Sequence, residues 1–247
     1  MSAFVLAFIG VAFVLAGLVK GVVGMGMPIV AMGLLGLMMP TVEAAAILVV
    51  PSLVMNLWQM WIGPGLKPLV RRLATMLVGI CLGTWLGIGF MTGSAQAWAP
   101  AALGAVMAVY GLMALFAPRF SMPPRHEPWA SPAVGLSTGL IAGGTGLFVV
   151  PMVPYMSALG LTKDELIQGL GMCFVVCSVA LGAALGFHGQ ITPALAGIST
   201  LALLPAGLGM YLGQRLRGRM QPEAFRRWFF RGLVALGIYM VARTLVG

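Results

Sequence analysis

Long charge-free runs alternate with short polar stations along the chain. The runs are Gly21–Val42, Ala44–Leu66, Leu73–Pro118, Pro128–Thr162 and Leu166–Gln214. About 20 apolar residues suffice for one helix to cross a bilayer, so most of the chain reads as helix at membrane depth. Six spans stand out: 44–62, 73–91, 97–116, 166–187, 194–213 and 225–246. Glu43 and Glu165 each stand in the first turn of such a span, where the helix dipole favours an anion. The Gly63, Pro64, Gly65 turn closes the first span, and the proline-rich stretch 118–132 is the longest polar connector. Gly79, Gly83 and Gly87 in one span, and Gly209 and Gly213 in another, form small-residue stripes that let helix backbones approach closely.

Ahead of each set of three spans lies an apolar segment broken by glycine. In the first, residues 3–19 predict a helix of about 25 Å, Gly24 and Gly26 flank Met25, and a short helix is expected over 28–39. In the second, residues 133–160, the glycines recur as Gly143, Gly144 and Gly146, with a short helix expected over 147–159. The second segment falls short of the roughly 40 apolar residues that two full passes need, which favours a hairpin of two short helices meeting near mid-membrane.

Charge then orients the chain. Fourteen Lys and Arg against five acids give a formal net charge of +9. In a soluble protein that excess would suggest nucleic acid, but here the basic residues cluster at the ends of apolar runs, as membrane orientation requires. Residues 64–72, 118–130 and 214–227 are basic and read as cytoplasmic, 92–96 and 188–193 are uncharged and read as external, and both termini become periplasmic. The basic link comes first in one half and second in the other. Three spans per half therefore insert the halves with opposite polarity. The expected fold is an all-α polytopic membrane protein of two inverted-topology repeats, 1–117 and 133–247, joined by a cytoplasmic connector, 118–132. Each repeat is a glycine-broken helical hairpin plus three transmembrane helices.

Paired breaks in a membrane chain point to a transporter's binding site. Helix N-termini offer unpaired N–H groups and partial positive charge, a ready site for an anion. Gly24, Met25, Gly26, Met27 and Pro28 in the first break, and Gly144, Thr145, Gly146 and Leu147 in the second, are the expected substrate-binding backbone, against a role in helix packing alone. Lys20, the one basic side chain among the first 66 residues, would neutralise the anion or snorkel to the interface. Thr145 would donate a hydroxyl or cap the following helix. Asn56 and Ser178 occupy corresponding places in the two halves and read as ligand contacts or as interhelical bonds, as do Gln59 and Gln168. His188 reads as an interface residue or a pH gate.

Other chemistry is thinner. The pattern Gly135, Ser137, Gly139 matches the serine-hydrolase elbow, yet it lies in a helical segment rather than on a strand-to-helix turn. Cys173 and Cys177 share a helix face but read as packing residues, and the 19 methionines lack a repeated ligand spacing. No metal, cofactor or nucleic acid is expected. An anion channel and an accessory, metal-handling membrane subunit remain as alternatives to a carrier.

Residues 16–28, their partner Gly139–Pro151, and the acidic turn that leads each into a long span resemble the two signature repeats of the sulfite exporter TauE/SafE family. The first repeat has Met25 between Gly24 and Gly26, where many members carry an adjacent third glycine. The resemblance implies a bacterial inner-membrane transporter of small sulfur-containing anions such as sulfite or sulfoacetate, assigned to export; the inverted repeat adds the expectation of alternating access, and no enzyme is expected. Its partners would be that anion and membrane lipid, with a homo-oligomer left open.

Overall fold

In the computed structural model, which describes residues 2–116, 121–217 and 222–246, every regular element is helical. Pro118, Arg119 and Arg219, assigned above to the connector and to a basic loop, lie outside the described residues. The long helices are α1 (Ala3–Val23), α3 (Thr41–Trp61), α4 (Leu66–Thr92), α5 (Ala99–Phe116), α6 (Glu127–Thr145), α8 (Lys163–Phe187) and α11 (Pro222–Val246). The shorter ones are α2 (Met27–Leu35), α7 (Met152–Ala158), α9 (Pro193–Leu201) and α10 (Leu203–Arg217). Seven candidate membrane spans result, because α9 and α10 together form one and α1 joins the six read from the sequence. The chain is a multi-pass membrane protein.

Several element ends differ from expectation. Helix α1 has 21 residues, about 31 Å, so it passes through Lys20 and is long enough to span. Helix α6 begins at Glu127, six residues before the expected start, with Pro128 in its first turn, where a missing N–H costs little, and Pro132 accommodated inside the helix. Each broken segment is thus one long arm and one short arm, as expected for the first, whereas two short helices were expected for the second. Helix α4 begins at Leu66 and carries Lys67, Arg71 and Arg72 within its first turns. Thr162 caps α8 in a reciprocal capping box with Glu165, which satisfies two otherwise orphaned N–H groups.

The chain divides into two compact units. One comprises residues 1–51, 97–117 and 191–247, and the other 52–96 and 118–190. In the first, α1 packs along α10 and α5 along α11. A Cβ on Gly21 would come within 2.8 Å of Gln214 N, and one on Gly104 within 2.6 Å of the Gly237 carbonyl. Pro51 inside α3 cannot donate to Ile47, and α9 supplies the missing donor: Ser199 Oγ bonds the Ile47 carbonyl at 2.7 Å and accepts from Val50 N at 3.2 Å. Pro205 likewise leaves the Leu201 carbonyl without its helical donor, and the chain turns at Ala202 between α9 and α10.

In the second unit α4 lies along α6. The expected stripe Gly79, Gly83, Gly87 meets a stripe on α6 formed by Gly135, Gly139 and Gly143. A Cβ on Gly139 would approach Thr84 N to 2.7 Å. Arg72 holds Glu127 through two bonds of 2.7 and 2.9 Å and the Leu159 carbonyl at 3.0 Å. It fastens the first turns of α4 to the start of α6 and the end of α7.

Candidate functional site

The first break lies wholly within the first unit. Gly24 caps α1 with φ 86° and donates to the Lys20 carbonyl at 2.8 Å. Gly26 precedes α2 with φ 100°. Both are left-handed, a conformation that costs an L-residue about 1–2 kcal/mol. A Cβ on Gly24 would meet nothing within 4 Å, and one on Gly26 would meet Val19 at 3.4 Å. Backbone conformation, not close helix packing, is what needs glycine here.

Helix α2 starts at Met27 with Pro28 in its first turn and has no side-chain cap. Among the described residues, no backbone carbonyl or side chain accepts from the N–H groups of Met25, Gly26 or Met27. Gly26, Met27 and Pro28 are buried. Lys20, only 6% exposed, is in the last turn of α1, so it does not snorkel along the protein surface. Tyr110 on α5 and Phe229 on α11 border the break: the Tyr110 hydroxyl lies 3.8 Å from Met25 Sδ, and the Phe229 ring lies 3.8 Å from the Cβ position of Gly26. Sequence reasoning did not single out these two; a hydroxyl inside the uncharged span 97–116 was the available signal for Tyr110.

The second break, in the other unit, corrects an expectation. Gly144 and Thr145 are the last residues of α6, and Gly146 caps it with φ 73°. Leu147 does not begin a helix. Residues 147–150 are non-helical, and α7 starts at Met152 after a cis Val150–Pro151 bond. The β-branched pair Val149 and Val150 directly before proline resists helical geometry. Only the first break therefore presents a helix N-terminus next to its glycines. Thr145 Oγ1 donates to the Ile141 carbonyl at 2.7 Å and accepts from Leu147 N at 3.2 Å, so it caps the turn after α6. A Cβ on Gly144 would make ordinary contact with Phe90 at 3.5 Å; nothing in the structure explains that glycine.

Residues 147–150 are all buried. Non-helical backbone at membrane depth is tolerated where protein buries it or where it lines a polar cavity. Among the described residues, no group accepts from the N–H of Phe148, Val149 or Val150. Phe148 packs against Phe174 of α8 with ring centroids 5.5 Å apart. One turn further along α8, Ser178 Oγ lies 2.8 Å from the Phe174 carbonyl and 3.0 Å from Ser52 Oγ, and Asn56 Nδ2 donates to Ser52 Oγ at 3.1 Å. Asn56 and Ser178 are thus joined through Ser52, a residue that sequence reasoning missed.

The remaining polar residues are occupied structurally. Gln59 donates to the Ile167 carbonyl, and Gln168 donates to the Met60 carbonyl while accepting from Gly65 N. These are the interhelical bonds that amides in lipid require. His188 ends α8, with Nδ1 2.9 Å from the Ala184 carbonyl. Ser137 lies within α6 and donates to the Ala133 carbonyl, so the hydrolase-like pattern is a helical turn and not an elbow. Cys173 and Cys177 are buried, and no group of three metal-ligating side chains occurs among the described residues.

Each break by itself offers backbone N–H groups after a glycine-ended helix, and the first also has Lys20 buried in the last turn of α1. The sequence profile of the sulfite exporter TauE/SafE family matches residues 9–240, a stretch that includes both breaks. No curated protein and no solved structure matches the chain. The chain belongs to the sulfite exporter TauE/SafE family, whose members are membrane transporters and not enzymes.

Proposed function

We propose that this protein exports small sulfur oxyanions, sulfite or organosulfonates such as sulfoacetate, from the bacterial cytoplasm by alternating access. The observation that carries the reading is the pair of glycine-ended helices, each followed by consecutive backbone N–H groups with no internal acceptor among the described residues: Met25 to Met27 and Phe148 to Val150. Unpaired buried donors are costly. An oxyanion accepts several such bonds at once, as anions do at helix N-termini.

Lys20 adds a positive charge at the first break, and Thr145 orders the turn at the second. Asn56 and Ser178 supply polar contacts beyond Phe148. The sulfur anion comes from the family, and the backbone donors give it a physical basis. The halves 1–117 and 133–247 act as inverted repeats about the connector 118–132. The basic residues at the start of α4, the end of α10 and the start of α11 face the cytoplasm under the positive-inside bias; with each broken segment returning to the side it entered from, three spans per half leave both termini outside.

Export needs no coupling ion, because expelling a monovalent anion from an inside-negative cell is favourable by about 2.3 kcal/mol at 100 mV. Counterflow of labelled sulfite by Gly26→Val and Gly146→Val tests the reading. Both should lose transport while remaining monodisperse in detergent. Wild-type rates in both would refute the assignment of the breaks as the binding element.

A further inference from the structure

Threonines and serines inside helices ordinarily turn their hydroxyls back to the carbonyl four residues earlier. Thr84, Ser137, Thr145 and Ser178 all do so here. Thr138, in the middle of α6, does not. Its side chain is fully buried, and Oγ1 has no partner of any kind among the described residues. A buried hydroxyl without a partner is an exception that calls for a cause.

Position supplies one. Ser131, Thr138 and Thr145 are seven residues apart, so they fall on one face of α6 with a drift of about 20° per step and a separation of about 10.5 Å. All three are buried. At one end of the row, Ser131 Oγ lies 2.6 Å from the Tyr155 hydroxyl of α7, near the Arg72 and Glu127 pair. At the other end, Thr145 holds the first amide of the second break. The row therefore follows the hairpin from its base to the anion-binding backbone, with the free hydroxyl midway. Thr41 also lacks a hydrogen-bond partner among the described residues, but it stands in the first turn of α3, with no such row and no break attached.

We propose that Thr138 Oγ1 is a substrate contact, donating a hydrogen bond to a small oxyanion as it passes along this face of α6 to or from the second break. The inference rests on the transport reading above and deepens it. A hydroxyl that bonds nothing in the resting protein adds nothing to its stability, so its removal should separate function from folding.

Thr138→Val keeps the shape and removes the donor; Thr138→Ser keeps the donor. Counterflow of labelled sulfite in proteoliposomes, with the apparent KM measured, and thermal melting in detergent are read for both. We expect Thr138→Val to melt at or above the wild-type temperature and to raise the apparent KM roughly three- to tenfold, the worth of one neutral hydrogen bond, while Thr138→Ser stays near wild type. Unchanged transport by Thr138→Val overturns the inference. A lowered melting temperature in Thr138→Val also overturns it, since that would show a structural partner such as a buried water. Wild-type protein that carries no sulfur anion counts instead against the functional reading itself, and the inference falls with it.

Discussion

Two left-handed glycines, Gly24 and Gly26, let the chain turn from α1 into α2. Gly26, at φ 100°, would carry a strain of about 1–2 kcal/mol with any Cβ, and a β-branched side chain adds crowding against Val19. Gly26→Ala should therefore lower stability by about that amount, seen in thermal melts. Lys20 makes a different prediction. Its side chain is buried in the last turn of α1, just before the first break, and a charge-assisted hydrogen bond to an anion is worth about 1.5–3 kcal/mol. Lys20→Met should raise the apparent KM for sulfite tenfold or more, while a change in maximal rate alone would place Lys20 outside the binding site. The break itself was legible in the sequence, because one charge and a pair of glycines interrupt an apolar run. Leu147 was misread for a physical reason: an apolar stretch gives no period that separates buried helix from buried extended chain. The valines before Pro151 held the information that the glycine pattern outweighed.

At the scale of elements, the long apolar runs and the punctuation between them gave the spans, and the glycine stripes gave their close packing. The partners of those stripes were not legible, since α4 meets α6 and α1 meets α10 across long stretches of chain. Gly139→Leu should abolish assembly of the α4 and α6 pair, because its Cβ alone would come within 2.7 Å of Thr84 N. Gly89→Ala, where a Cβ meets nothing within 4 Å, should instead stabilise α4 by about 0.5–1 kcal/mol. Melting temperatures of the two variants check the contrast. Pro51 shows the same limit from another side. The sequence marks the broken hydrogen bond, but only the fold reveals that Ser199 mends it. Ser199→Ala should cost about 1–3 kcal/mol, the penalty for a stranded buried carbonyl, and melt correspondingly lower.

At the scale of the whole molecule, we propose that the chain, whose spans carry few charged side chains, handles its anion mainly through backbone N–H groups. Family membership sets the transporter class. In the proposal made above, the break amides without an acceptor among the described residues, the buried Lys20 and the Thr138 hydroxyl supply its chemistry. A carrier built this way should saturate and exchange, whereas a channel should conduct. The most direct measurement is counterflow of labelled sulfite into proteoliposomes loaded separately with unlabelled sulfite, sulfoacetate, thiosulfate, sulfate or chloride. A backbone-binding carrier should accumulate label driven by trapped sulfite or sulfoacetate and should lose this in Gly26→Val. Folded protein that shows no counterflow with any of these anions, or passes them as an unsaturable conductance, would contradict it.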